Sequence, residues 1–286
     1  MPEIREHTAE LDDQPVFWRA APTADGGPPI LYVHGVPTNA DLWTPFLERT
    51  GGIAVDLPGF GRSGKRGDLE YTVPGYTRFL EHFLDLVEED EVRLVCEDWG
   101  AAALGWAQEH PRRVARLVLI DAVPLIAGYR WHRIARVWRT PVLGELAMGA
   151  SVRPVLRALL PRELVPMVAD RLDQGTQRAI LRLYRWADPE RLAEAGARLG
   201  AIEAPALVVW GERDPYIPVR FAHAYAAVLG GEVEVDVRAG AGHWPWLADP
   251  GVIDRVAAFL TAQRPRGSPP GRTPAEGTEP PGREFP

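Results

Sequence analysis

One stretch of the chain, residues 92–104, combines a buried strand, a sharp turn and the start of a helix. Residues 92–95 are mostly apolar and favour a strand, whereas the small residues from Gly100 onward favour a helix. Between them, Cys96, Asp98 and Gly100 occupy alternate positions, and the small residues among them allow a tight turn with close packing of helix on strand. Such a turn raises its central side chain, Asp98, above the edge of a sheet.

Strands and helices alternate along most of the rest of the chain. Apolar, β-favouring runs predict buried strands at residues 30–33, 53–55, 114–120, 206–210 and 233–237, and residues 5–20 predict two antiparallel strands joined near Asp12 and Asp13. Apolar residues at helical spacing predict helices over residues 76–87 and 250–262. This alternation predicts an α/β fold with a mostly parallel, doubly wound sheet.

The pattern changes between residues 124 and 199, where arginine-rich amphipathic helical segments are interrupted by prolines. We interpret this region as a helical cap inserted between two strands of the core. The core then consists of residues 1–123 and 200–263. Residues 264–286 are dominated by Pro, Gly, Thr and charged residues, which predicts a disordered tail without an assigned function.

Composition excludes several classes of function. The net charge of -7 and the mixing of arginines with carboxylates argue against a nucleic-acid partner. A single cysteine excludes a disulfide framework and a cysteine metal cluster, and no apolar run is long enough to span a membrane. Because the N-terminus lacks a signal pattern, we expect a cytoplasmic protein. Because the sequence has neither a metal-cluster motif nor a phosphate-binding glycine loop, we expect no metal or other cofactor. The sequence does not predict the oligomeric state.

Two further loops carry the side chains that a nucleophile at position 98 would need. Asp214 follows the predicted strand 206–210, and His243 follows the strand 233–237. Taken singly, Asp98 is also typical of a helix N-cap, and Asp214 and His243 are typical of turns. Together, the order nucleophile, acid, histidine at successive strand ends favours a catalytic triad.

From about residue 14 to residue 262, the chain resembles the α/β-hydrolase superfamily. The segments 34–37, His-Gly-Val-Pro, and 98–100, Asp-Trp-Gly, are similar to the branch of haloalkane dehalogenases and epoxide hydrolases. The resemblance implies that Asp98 is the nucleophile, His243 the general base and Asp214 the acid that orients it. Asp121, at the end of the strand that follows residues 92–104, is the alternative acid, because some relatives place theirs there.

The chemistry of these residue types agrees with that implication. An ionised carboxylate attacks a saturated carbon without a base, so Asp98 could displace a halide or open an epoxide and form an alkyl ester. His243 would then deprotonate a water that attacks the carboxyl carbon of Asp98. The backbone N–H groups of Val36 and Trp99 would stabilise the resulting oxyanion. The expected partners are therefore a small apolar substrate and water.

The dehalogenase is the first of two candidate activities. A dehalogenase binds the leaving halide with two N–H donors, and the indole of Trp99 would supply one. Many dehalogenases carry Asn at the position of Val36, whose side chain has no donor. A cap tryptophan would then supply the second donor, and the candidates are Trp138, Trp131 and Trp186. The other similarities to dehalogenases in the core favour this activity slightly.

An epoxide hydrolase remains the alternative. That activity requires cap tyrosines that donate to the opening ring, and Tyr184 resembles one of them in its placement late in the cap. The usual second tyrosine is not evident, because Tyr129 gives no firm match. A ligand-binding protein without catalytic activity is a remote third possibility, since the fold alone does not determine function.

Overall fold

A computed structural model of the chain describes residues 2–262, and these residues contain a sheet of eight strands in the order β1-β2-β4-β3-β5-β6-β7-β8. The strands β1 and β2 pair antiparallel, as do β2 and β4, and all the other pairs are parallel. The strand bounds are Arg5–Leu11, Gln14–Ala21, Ile30–Val33, Gly52–Val55, Val92–Glu97, Val114–Ile120, Ala206–Gly211 and Val233–Arg238. The prediction of an α/β fold with a mostly parallel sheet is confirmed.

The strand order reverses direction at β3, and this reversal positions the site. From β3 the chain moves to β4 on one side and then returns to β5 on the other. The loops that follow β3 and β5 therefore leave the same edge of the sheet in opposite directions and open a crevice between them. In this arrangement Val33 pairs with Cys96, so the residues just beyond these two strands are neighbours.

Helices cover both faces of the sheet and supply its core. On one face α2 (Val73–Leu86) packs against α3 (Ala103–Glu109), and on the other α1 (Thr44–Thr50) packs against α12 (Gly251–Thr261). The remaining core helices are α10 (Arg220–Val228) and α11 (Pro245–Ala248). The helix α2 begins where the sequence directs, because the Thr72 side chain accepts a hydrogen bond from the Gly75 N–H. Because helices cover both faces of the sheet, the central strands β3, β5, β6 and β7 are fully buried.

Six α-helices lie between β6 and β7, within the segment that we interpret as a cap. They are α4 (Arg133–Arg139), α5 (Leu143–Gly149), α6 (Arg153–Leu159), α7 (Val165–Arg171), α8 (Gln174–Trp186) and α9 (Pro189–Ala195). The longest, α8, follows Asp173, which is its N-cap residue, and it packs against α4 and α5. Its buried residues Ile180 and Tyr184 line a cavity beneath the cap helices.

Two further expectations concern the C-terminal tail and membrane-spanning helices. The tail predicted to be disordered, residues 264–286, lies outside the described residues. Within residues 2–262, the helices are all too short or too polar to cross a lipid bilayer.

Candidate active site

The turn after β5 has the strained geometry that its sequence predicts. Asp98 adopts a φ of 48°, in the left-handed region that non-glycine residues rarely occupy. Two neighbouring positions have no room for a side chain: a Cβ on Gly100 would lie 2.1 Å from the Val33 carbonyl oxygen, and a Cβ on Gly35 would lie 2.4 Å from the Asp98 Cβ. The buried Cys96 on β5 packs in the core.

The two carboxylate oxygens of Asp98 have different surroundings. Oδ1 accepts a hydrogen bond of 2.9 Å from the Val36 N–H, on the loop after β3. Oδ2 lies 3.4 Å from the His243 Nε2 atom. The first oxygen is thus held by a backbone donor, which leaves the second for contact with other groups.

Asp214 contacts the far side of the imidazole. Its Oδ2 atom lies 2.8 Å from His243 Nδ1, and its Oδ1 atom accepts hydrogen bonds from the Tyr216 and Ile217 N–H groups at 2.7 and 3.1 Å. Because a carboxylate only accepts, Nδ1 must carry the proton, which leaves Nε2 free to accept one when His243 is neutral.

The charges of this group shift both pKa values. Burial by itself would raise the pKa of Asp214, but the charge and hydrogen bond of His243, with two backbone N–H groups, lower it below its usual value. Burial would lower the pKa of His243, but Asp214 and Asp98 together raise it well above 6.5. While Asp98 is a free carboxylate, Asp214 is therefore most stable ionised and His243 is most stable as the imidazolium.

Asp121 lies behind this pair and does not replace Asp214. Its Oδ1 atom accepts a hydrogen bond of 2.9 Å from the Gly211 N–H, while Oδ2 is buried and finds no hydrogen-bond partner in the part of the chain that the structure describes. Burial raises the pKa of Asp121 well above its usual value. Ligand atoms of Asp121, Asp214 and His243 lie within 4.8 Å of one another. Asp214 and His243, however, already share a hydrogen bond, so the arrangement fits a hydrogen-bonded triad better than a cation site.

A third carboxyl group, which the sequence analysis did not consider, borders His243 in addition to Asp98 and Asp214. Glu97 immediately precedes Asp98, its side chain is 1% exposed, and its Oε1 atom lies 3.7 Å from His243 Nε2. Its Oε2 atom accepts a hydrogen bond of 3.0 Å from the Gly35 N–H. A glutamate at the end of a buried, mostly apolar strand was the signal in the sequence that could have identified it.

An apolar cavity opens between this group and the cap, and it has an empty volume of about 730 Å³ including its mouth. Asp98, His243 and Val36 line it from the core side. The cap contributes mainly apolar and aromatic walls, among them Trp131, Trp138, Met148, Leu156, Leu160, Ile180 and Tyr184. A carboxylate and an imidazole therefore face a mostly apolar space.

The tryptophans proposed as leaving-group donors occupy different positions. Trp99 is buried, and its indole N–H has no hydrogen-bond partner among residues 2–262, but the residues that line the cavity do not include it. It stacks on Trp131 and meets the edge of Tyr184, with ring centroids at 5.6 and 5.3 Å. Trp131 donates its own N–H to the Ala187 carbonyl at 2.7 Å. Of the three cap tryptophans, Trp138 lines the cavity without such a bond, and Trp186 does not line it.

His132, another residue that the sequence analysis did not consider, also lines the cavity. Its Nδ1 atom accepts a hydrogen bond of 3.3 Å from the Ala135 N–H and so caps α4. Burial lowers the pKa of His132 to about 4, so the ring is neutral near pH 7 and its proton resides on Nε2. Tyr129 lines the same wall, and its hydroxyl lies 3.5 Å from the Tyr216 carbonyl oxygen.

This combination of sheet order, turn and loops defines the class of protein. Residues 28–250 match the family described as alpha/beta hydrolase fold, so the chain belongs to that family and is a hydrolase. An uncharacterized protein of Mycobacterium tuberculosis is 30% identical over 285 residues, which cover 87% of this chain and 80% of the relative.

More specific relatives are haloalkane dehalogenases. One from Mycobacterium marinum is 32% identical over 209 residues, which cover 67% of this chain and 70% of the relative. The crystal structure of haloalkane dehalogenase DbeA from Bradyrhizobium elkani matches with a TM-score of 0.75 and 23% identity, and covers 90% of this chain and 98% of that one. The chain therefore belongs to the branch of the family that includes haloalkane dehalogenases. At 23% identity, the structural likeness bears on the fold alone.

Proposed function

We propose that this hydrolase acts through a covalent ester on Asp98 and that it releases halide and alcohol from small apolar haloalkanes. The observation that carries the proposal is the side chain of Asp98, which faces an apolar cavity with one oxygen on a backbone N–H and the other beside His243. The names of the dehalogenase relatives support the same activity.

In the first step, Oδ2 of Asp98 attacks the carbon that carries the halogen. The new bond joins Oδ2 to carbon, the carbon–halogen bond breaks, and the halide leaves with the electron pair. Donation from the Val36 N–H holds Oδ1, which fixes the plane of the carboxylate. The apolar walls favour the substrate and weaken the solvation of the attacking carboxylate.

In the second step, water hydrolyses the ester at the carboxyl carbon of Asp98. His243 accepts a proton from the water through Nε2, while Asp214 holds the ring through Nδ1. The developing charge on Oδ1 is stabilised by the Val36 N–H already bound to that oxygen, and the backbone N–H of Trp99 is the proposed second donor. Collapse breaks the bond between carboxyl carbon and alkyl oxygen, and the proton returns from His243 to the alcohol. The second proton of the water then leaves Asp98 for solvent, which restores the carboxylate and balances the released halide.

The halide would leave toward the aromatic residues under the cap. We propose the unpartnered indole N–H of Trp99 as one donor and that of Trp138, which lines the cavity, as the other. Trp131 is a weaker candidate because its N–H is already bound to Ala187.

The test is a paired assay of the purified protein. Halide release from 1-bromobutane and 1,2-dibromoethane is measured beside diol formation from styrene oxide, for the wild type and for Asp98→Ala. Halide release that disappears in Asp98→Ala supports the proposal. Diol formation without halide release would contradict it.

An epoxide hydrolase is the second candidate, and one observation favours it. Tyr184 and His132 line the same cavity as Asp98, and His132 presents an Nε2–H donor there. The histidine could take the place of the second tyrosine that the sequence lacks, by donating to the ring oxygen together with the Tyr184 hydroxyl. If so, Tyr184→Phe and His132→Leu should each lower diol formation and leave any halide release nearly unchanged.

A binding protein without catalysis is distinguished by covalent trapping. In His243→Ala, an enzyme of the proposed type forms the ester on Asp98 but cannot hydrolyse it. Intact-protein mass spectrometry after incubation with 1-bromobutane should then show one butyl group on the protein. A chain that only binds the haloalkane would keep its original mass.

A further inference from the structure

Among residues 2–262, Glu97 is the one carboxyl group next to His243 Nε2 that the two proposed steps leave without a role. Its Oε1 atom is buried and has no hydrogen-bond partner within the described part of the chain, although unpaired buried oxygens are rare in proteins. The same side chain is fixed in place at its other oxygen by the Gly35 N–H, at 3.0 Å. The free oxygen therefore has a defined position close to the reacting groups.

The distances around His243 suggest what Oε1 contacts during the reaction. Oε1 lies 3.7 Å from Nε2, which is too long for a direct hydrogen bond but short enough for one water molecule to contact both atoms. The Oδ2 atom of Asp98 lies 3.4 Å from the same Nε2. A water bound between Glu97 and His243 is thus adjacent to the carboxyl group that it must attack.

We propose that Glu97 and His243 together hold the water that hydrolyses the Asp98 ester, with Oε1 of Glu97 as its second anchor. This inference rests on the proposed function. Two hydrogen bonds orient the water and leave a lone pair for the carboxyl carbon of Asp98. The water oxygen bonds to that carbon, its proton moves to His243 Nε2, and Glu97 gains and loses no proton overall.

The ionisation of Glu97 is compatible with this role. Burial is the main reason that the pKa of Glu97 is raised to about 8. The nearby charge of Asp98 adds to the increase in this pKa, whereas His243 opposes it. At neutral pH the carboxyl group is thus mainly neutral and does not place a second full negative charge beside the nucleophile. A neutral carboxyl group can still donate a hydrogen bond to water or accept one from it.

The experiment separates the two chemical steps. Rapid-quench kinetics with 1-bromobutane measure ester formation as a burst of bromide, and the steady-state rate reports hydrolysis. In Glu97→Leu the burst rate should stay within about threefold of wild type, whereas hydrolysis should fall about tenfold or more, the effect of one lost hydrogen bond. The ester should accumulate, as detected by intact-protein mass. An equal fall of both rates, or an unchanged hydrolysis rate, would overturn the proposal.

Two variants control for effects on structure. Glu97→Gln keeps polar atoms at both positions and should retain hydrolysis within about fivefold; a loss as large as that of the leucine variant would overturn the proposal. Asp56→Asn removes another buried carboxyl group, which accepts from the Ala40 and Arg62 N–H groups away from the cavity. It should lower the melting temperature without changing the ratio of the two rates, and a changed ratio would refute the link to Glu97.

A measurement without turnover distinguishes this proposal from the proposed function. A high-resolution crystal structure should show a water within hydrogen-bond distance of both Glu97 Oε1 and His243 Nε2, and Glu97→Leu should lack it. No ordered water between these atoms would overturn the inference, even if halide is released. Conversely, a wild type that releases neither halide nor diol would refute the proposed function, while the water could still be observed.

Discussion

Replacing Asp214 by Asn should block the second chemical step and spare the first. The Tyr216 and Ile217 N–H groups donate to Oδ1 of Asp214, so an Asn at this position would keep its carbonyl oxygen there. Its NH₂ group would then face His243 Nδ1. Two donors cannot hydrogen-bond to each other, so Nδ1 would have to lose its proton and Nε2 would gain one. His243 in this tautomer cannot accept a proton from water.

The size of the effect follows from these contacts. Loss of a hydrogen bond with a charged partner costs about 1.5–3 kcal/mol, which corresponds to roughly a 10- to 150-fold change in rate. The reversed tautomer adds to this cost, and equivalent changes in serine hydrolases lower catalysis about 10⁴-fold. We therefore expect hydrolysis to slow by about 10³-fold or more. Ester formation requires no base and should change little.

The assay compares Asp214→Asn with Asp121→Asn by rapid quench and intact-protein mass. The first variant should give one equivalent of bromide and then stop, with an alkyl group retained on Asp98. The second should continue to turn over within about tenfold of wild type, because Asp121 binds the Gly211 N–H rather than His243. Ester accumulation in Asp121→Asn but not in Asp214→Asn would refute the assignment of the acid.

Three further outcomes test the site and the fold. His243 must be neutral to accept a proton, and its pKa is raised by Asp214 but no longer by the charge of Asp98 once that residue is an ester. Hydrolysis should therefore increase up to about tenfold per pH unit below the pKa that His243 has in the ester and level off above it, so that the ester accumulates at the acid end; pH-dependent rapid quench measures this. Gly100→Ala should lower the free energy of unfolding in urea by more than about 3 kcal/mol, because its Cβ would lie 2.1 Å from the Val33 carbonyl oxygen. Arg93→Met should cost about 2–4 kcal/mol, since the buried guanidinium pairs with Asp25. The hydrogen bond from Arg93 lowers the Asp25 pKa, so the part of this stabilisation that comes from Asp25 is present above 3.8 and is lost as the pH falls through the lower folded pKa. Acid titrations of wild type and variant should approach each other by that part, whereas the hydrogen bonds from Arg93 to the Pro28 and Leu260 carbonyls keep a difference between them.

The sequence predicted the fold closely where a local pattern was sufficient. The apolar runs at residues 30–33 and 114–120 are strands with those bounds, and the alternating residues near the N-terminus form the antiparallel pair β1 and β2. It also predicted which loops carry Asp98, Asp214 and His243, because parallel strands end at one edge of a sheet. The structure brings these three side chains together.

Other parts of the site could not be predicted from the sequence. Asp121 and Asp214 both follow strands, and only the spatial path of the loop after β7 determines that Asp214 reaches His243. Similarly, the spacing of the cap tryptophans does not reveal that Trp131 donates to a backbone carbonyl while Trp138 faces the cavity. Side-chain directions in short helices joined by irregular loops depend on packing against distant elements.

The sequence by itself determined the succession of strands and helices along the chain, the strained turn at Asp98 and the chemical types of the residues at the strand ends. These features follow from local backbone preferences and from the periodic burial of apolar side chains. The tertiary structure alone decided which donors remain free and which carboxyl groups border His243 Nε2, as Glu97 shows. Hydrogen-bond pairing depends on distances of a few ångströms between residues far apart in sequence, and only the packed fold fixes those distances.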